Sequence, residues 1–164
     1  MENRLYTKKR SILIKSSPEK VFEYMDQLGN TGMHMMKDSA MMMGSKLKLE
    51  QLSENAIGLN SRFRWYGRMM GFQMDFTIVV IKWVYGKERI WETIGPAKMI
   101  ILKWYRMRFE LTEEKDSTHV ELSITYSRPD ELFYKIVSFL FAGIYARWCL
   151  KSMLNDTKFN LEGK

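Results

Sequence analysis

Residues 118–154 read THVELSITYSRPDELFYKIVSFLFAGIYARWCLKSML, and the change of period inside this stretch decides the fold. Up to Ser127 every second position is apolar: Val120, Leu122, Ile124 and Tyr126 share one face, opposite His119, Glu121, Ser123 and Thr125. That is a strand with one buried side. Arg128-Pro129-Asp130 ends it, and the spacing predicts one long helix over 130–161. Between Leu132 and Leu150 only Tyr134, Lys135, Ser138, Tyr145 and Arg147 carry clearly polar atoms. At about 100° per residue, Phe133, Ile136, Val137, Phe139, Leu140, Phe141, Ile144 and Trp148 cover most of the helix circumference. A helix clasped by a sheet needs apolar residues on one side only. The excess predicts a second hydrophobic partner: a bound ligand, another subunit or a bilayer surface.

Upstream, the pattern predicts strands over 45–52, 57–66, 72–84, 88–94 and 99–112, with turn signals at 53–55, 67–71, 86–87, 95–96 and 113–117. Connections this short make antiparallel neighbours, so the strands form a meander. Leu59, Phe63 and Trp65 oppose Asn60, Arg62 and Arg64, while Tyr105, Met107, Phe109 and Leu111 oppose Trp104, Arg106, Arg108 and Glu110. One face of the sheet is therefore greasy and the other wet. A first strand falls within 6–16. Ser16 or Ser17, Pro18 and Glu19 then open a helix whose stripe is Val21, Phe22, Tyr24, Met25 and Leu28, stopped by Gly29-Asn30. A second short helix is predicted over 31–37, and the Met41-Met42-Met43 run and Gly44 lead back into strand. A sheet followed by one long helix can curl around it and leave a pocket between them.

These segments carry a resemblance. A strand, then SPEKVFEY at 17–24, then a meander, then a long terminal helix is similar to the START-like superfamily called SRPBCC, and within it to the polyketide cyclase/dehydrase and lipid-transport-like branch. GLNSRFRW at 58–65, GRMMG at 67–71, IWET at 90–93 and WYRMRFEL at 104–111 add to it, and it covers about residues 8 to 160. The resemblance implies an α+β helix-grip fold: a seven-stranded antiparallel sheet wrapped around the long C-terminal helix, two short helices after strand 1, and a deep apolar cavity. Such relatives include lipid and sterol carriers, hormone receptors and aromatase/cyclases. They share no universal catalytic residue, so the resemblance transfers none.

Composition fits this reading. Residues 1–164 make a single ligand-binding domain, with 46% hydrophobic and 27% charged residues and enough length to bury a core without disulfides. One cysteine, Cys149, suits a reducing compartment, and no apolar segment follows the polar start at 1–10, so the expected location is cytoplasmic. The net charge of +7 matches no helix-turn-helix, RNP or zinc-finger pattern, so no nucleic-acid partner is expected. Peripheral contact with anionic lipid is compatible with that charge. Lys135 and Arg147 argue against a membrane span.

Met33, Met35, Met36, Met41, Met42 and Met43 crowd around His34. Soft thioethers suit Cu(I), but the spacing is irregular and only one histidine is near. The reading is an adaptable apolar lid without metal or cofactor. His119, Asp75 and Glu92 fall on the wet face, no catalytic triad or metal spacing emerges, and no catalytic residue is nominated. Lys103 falls in phase with Tyr105 and Met107, where it would hold an anionic headgroup or snorkel from a strand end. The expected cavity lining from the lid and strands is Met36, Met42, Leu59, Phe63, Trp65, Met74, Phe76, Trp91, Tyr105, Met107, Phe109 and Tyr126. Phe141 and Tyr145 add to it from the helix. The function this predicts is non-covalent binding of a hydrophobic small molecule or lipid. A cyclase/dehydratase-type enzyme and a module dimerising through the helix stay open, as does the choice between monomer and homodimer.

Overall fold

Strand β1 (Leu5–Ile14) opens the chain and closes one edge of the sheet. Three helices follow it: α1 (Pro18–Asp26), α2 (Leu28–Thr31) and α3 (Met33–Met36). Then come β2 (Leu47–Gln51), β3 (Arg62–Met69), β4 (Phe72–Val84), β5 (Glu88–Lys98), β6 (Trp104–Glu114), β7 (Ser117–Ser127) and the long helix α4 (Leu132–Glu162). The computed structural model describes residues 4–37 and 46–163. All seven strands pair antiparallel in the order β1-β7-β6-β5-β4-β3-β2, and α4 lies along the concave side.

Local chemistry sets these boundaries. Ser17 Oγ accepts from the Lys20 amide at 3.4 Å, and Pro18 and Glu19 occupy the first turn of α1. The first helix, predicted to stop at Gly29-Asn30, ends at Asp26; Gly29 and Asn30 lie inside the single turn α2, and the helix predicted over 31–37 shrinks to the single turn α3 after Gly32. The strand predicted from 57 begins only at Arg62. Between 53 and 61, polar side chains close the backbone locally: Ser53 Oγ donates to the Asn55 carbonyl (2.7 Å), and Asn55 Nδ2 donates to that of Ile57 (3.1 Å). Such bonds compete with a ladder. The turn predicted at 67–71 shrinks to Met70-Gly71, both at positive φ (54° and 80°), as a two-residue hairpin requires. Strand β5 runs on to Lys98, and 99–103 dips inward as a loop instead of starting β6.

The convex face is an ion-pair lattice. Arg64 clamps Asp75 at 2.8 and 2.7 Å, Arg106 meets Glu92 at 2.6 Å, and Glu88 accepts from Lys82 and Arg108, both at 2.5 Å. The Arg64 hydrogen bond holds the Asp75 carboxyl below its ordinary range. Lys103 pairs with Asp130. The concave face is the core. Ala142, Ala146, Leu150, Met153 and Leu154 of α4 are buried against it, and Lys158 Nζ donates to the Leu13 carbonyl at 3.0 Å.

Candidate ligand-binding site

Where α2 and α3 cross the concave face, the core does not quite close. Leu28, Thr31, Gly32, His34 and Met35 roof the gap, and Trp65, Met69, Met74 and Phe76 form the wall on β3 and β4. Trp91, Tyr105, Met107 and Ile124 floor it, the 99–103 loop adds Met99, Ile101 and Leu102, and α4 contributes the stripe Tyr145, Cys149 and Met153. The void has a volume of about 60 Å³. That is room for a few waters, against the roughly 300–1,000 Å³ of a typical small-molecule site. In this state the tryptophans and methionines fill most of the space.

Among the described residues, none in the lining carries a formal charge near neutral pH. Burial depresses the His34 imidazole to about 4, the Thr31 carbonyl offsetting only part of that, and Nδ1 makes no hydrogen bond. Burial pushes the Cys149 thiol up to about 12 and raises the Tyr105 and Tyr145 phenols. These three groups form a neutral polar strip on an otherwise apolar wall. The Tyr145 hydroxyl meets only soft sulfur partners among the described residues, Met35 Sδ at 3.8 Å and the Cys149 thiol, and a ligand oxygen would be a stronger acceptor than either. Thr93 Oγ1 fixes the Tyr105 backbone through two 3.3 Å hydrogen bonds. Among the described residues no three His, Cys, Asp or Glu side chains come together as a metal site. A second, open crevice of about 560 Å³ lies between the β3–β4 hairpin and the start of α4, and it shares Met99 and Leu102 with the buried void.

No family model and no curated protein matches this sequence. Solved structures do match in three dimensions. TTHA0849 from Thermus thermophilus superposes with a TM-score of 0.70 at 16% identity, covering 95% of this chain and 97% of that one. Norcoclaurine synthase from Thalictrum flavum gives 0.67 at 14%, covering 98% and 88%. The di-domain ARO/CYC StfQ from the steffimycin biosynthetic pathway gives 0.68 at 9%, covering 98% of this chain and 52% of its own. This is the helix-grip fold of the Bet v1-like, or SRPBCC, proteins.

Within the helix grip, Trp65, Met74, Phe76, Trp91, Tyr105 and Met107 from the strands and Tyr145 from α4 meet around the void. The other sequence candidates stand elsewhere. Leu59 is exposed, because the loop replaces the predicted strand there. Phe141 is exposed because α4 turns its small residues, not this ring, to the sheet. Phe63 is buried in the core off the void. Phe109 sits one layer behind Trp91, edge-on to Phe22 at 5.4 Å. Tyr126 stacks on Tyr6 at 5.6 Å, and Met36 packs on the core beside the void. Met42 lies outside the described residues.

Met35 joins the lining from the expected apolar lid, whereas His34, Met69, Met99, Ile101, Leu102, Ile124, Cys149 and Met153 stand there outside the expected set. Cys149 and Met153 repeat at four-residue spacing from Tyr145, a signal that was legible. The implied deep cavity is corrected to a small one.

Gly32 sets the roof height. A Cβ there would stand 2.4 Å from two Trp65 ring carbons and 2.9 Å from the Leu28 carbonyl, although φ is an ordinary −89°. Gly32→Ala therefore lowers folding stability by about 1–3 kcal/mol through overpacking, read as a drop in melting temperature. An unchanged melting temperature would mean that Trp65 gives way freely.

Proposed function

We propose that this protein binds an uncharged hydrophobic small molecule non-covalently between the sheet and α4. The observation that carries this reading is the lining itself. Among the described residues, six of its side chains are methionines (Met35, Met69, Met74, Met99, Met107 and Met153), and none carries a charge. Unbranched thioethers change rotamer at little cost, so a wall made of them can retreat to admit a molecule larger than the resting void. Trp65, Phe76, Trp91 and Met107 supply apolar contact, at about 25 cal/mol per Å² buried. Tyr145, Tyr105 and Cys149 orient one neutral hydroxyl or carbonyl. An ionised headgroup would be buried without a counter-charge, at a cost of several kcal/mol.

Trp65 and Trp91 make the test direct, since both lie in the wall. Titration with 1-decanol is expected to change tryptophan emission saturably, whereas decanoate at pH 7 binds at least about tenfold more weakly. Tyr145→Phe weakens decanol binding by about threefold to tenfold. No saturable response to either compound, in emission or in native mass spectrometry, rejects the binding reading. Equal affinity for alcohol and acid rejects the neutral-ligand part alone.

A cyclase-type reaction is the second reading, supported by the fold shared with StfQ and norcoclaurine synthase. The lining offers it little acid–base chemistry at neutral pH, with His34 near 4 and Cys149 near 12.

A further inference from the structure

Helix α4 is gripped on one side only. Its other side is bare over the first half, where exposure runs from 53% at Ile144 and 54% at Ile136, through 56% at Leu140 and 59% at Phe133, to 75% at Leu132. Phe133, Ile136, Leu140 and Ile144 follow at three- and four-residue spacing, so they form one continuous stripe. Phe72 at the β3–β4 hairpin, 41% exposed, extends it with its ring 6.5 Å from that of Phe133. Single exposed apolar side chains are ordinary, but a contiguous set marks an interaction surface.

The border of the stripe is cationic. From 132 to 155 the helix carries Lys135, Arg147 and Lys151 and no Asp or Glu. Alongside runs the inward side of β1. Lys8 and Arg10 pair with Ile124 and Leu122, both buried on the concave face, and the Lys8 side chain reaches within 3.9 Å of where a Cβ on Gly143 would stand. Arg128 lies over the Phe139 ring at 5.3 Å. Among the described residues, the nearby carboxylates are Glu131, at the helix start, and Asp130, which Lys103 neutralises.

We propose that the bare face of α4 docks peripherally on a lipid bilayer containing anionic headgroups. The charge pattern selects this occupant. A second copy would bring the same cationic border, with almost no carboxylate to meet it, whereas an anionic lipid surface complements every one of these residues. The helix is long and apolar enough to cross a membrane. Crossing, however, would pull Ala142, Ala146, Cys149 and Leu150 out of the core, so α4 lies in the interfacial plane. Docking stands independently of the cavity having an occupant. It also sets the open crevice, bordered by Phe72 and Tyr134, beside the lipid.

The test is flotation of the full chain with vesicles of phosphatidylcholine alone or mixed with phosphatidylglycerol. The chain is expected to float with the mixed vesicles, to do so less at high salt, and not to float with pure phosphatidylcholine. Ile136→Ser with Leu140→Ser, and separately Lys8→Glu with Arg10→Glu, each lower the bound fraction by at least about tenfold. Melting temperatures within a few degrees of the parent show that both pairs still fold. Binding that ignores headgroup charge and the Lys8/Arg10 reversal overturns the proposal. So does the absence of vesicle binding, whether the chain then stays monomeric or forms a dimer that Ile136→Ser with Leu140→Ser dissolves.

Discussion

Arg89→Ala is expected to destabilise the fold by about 3–5 kcal/mol, the cost of breaking a buried ion pair from one side. The Arg89 side chain is fully buried, with Nε 3.2 Å from Asp26 Oδ1 and its guanidinium over the Trp91 ring at 5.0 Å. Its Nη1 donates to the backbone carbonyls of Met25 (3.3 Å) and Asp26 (2.9 Å), the last residues of α1. Reaching across from β5, the guanidinium caps the negative end of that helix. Asp26 in turn accepts from Trp83 Nε1 at 2.9 Å. Removing the guanidinium strands one carboxylate and two carbonyls in the core. Burial lowers the Arg89 pKa to about 10 even though Asp26 opposes the shift. Desolvation therefore outweighs attraction, and the intact pair adds less than its rupture costs. Urea denaturation measures this. The midpoint should fall at unchanged slope, and Arg89→Met combined with Asp26→Asn should recover much of the loss. A single-variant loss under about 1 kcal/mol would refute the capping role.

The second large effect is acid sensitivity at His34. In the folded chain its imidazole is held near 4, against 6.5 when unfolded. Between those values the unfolded chain takes up a proton that the folded chain refuses. Stability is therefore complete above about pH 6.5 and falls by about 1.4 kcal/mol per unit as pH drops toward 4, roughly 3 kcal/mol in all. His34 sits edge-on to Trp148 at 5.0 Å, so His34→Phe keeps an aromatic ring in the same place. Urea midpoints at pH 7 and pH 5 should separate sharply for the parent and much less for this variant. Parallel profiles would show that His34 titrates normally.

The fold was legible in the sequence because two periods do not mix. Strict alternation marks β7, β6 and much of β3, and the Ser17-Pro18-Glu19 cap marks α1. The site was legible only in part. Alternation assigns Trp65, Trp91 and Tyr105 to the concave face, but it cannot say which concave residues reach the void and which, like Phe109, stand a layer behind. Helix α4 defeated the reading for another reason. Apolar nearly all round, it offers no phase, and its buried side in the first half is marked by the small residues Ser138, Ala142 and Ala146. These let helix and sheet approach closely while rings such as Phe141 point away. Arg89 sits in the inward phase with Trp91 and Thr93, yet nothing local in the sequence names its partner 63 positions earlier.

The thioether wall carries a chemical liability of its own. Each sulfur around the void is a site where peroxide can add an oxygen atom, and the resulting S=O dipole is large, rigid and thirsty for donors. Met69, Met74, Met107 and Met153 are core residues, so each S=O group there would be buried short of donors. An oxidising burst would thus turn the chamber from oil-like to water-like at a cost in stability, and reductive repair of the sulfoxides would reverse both.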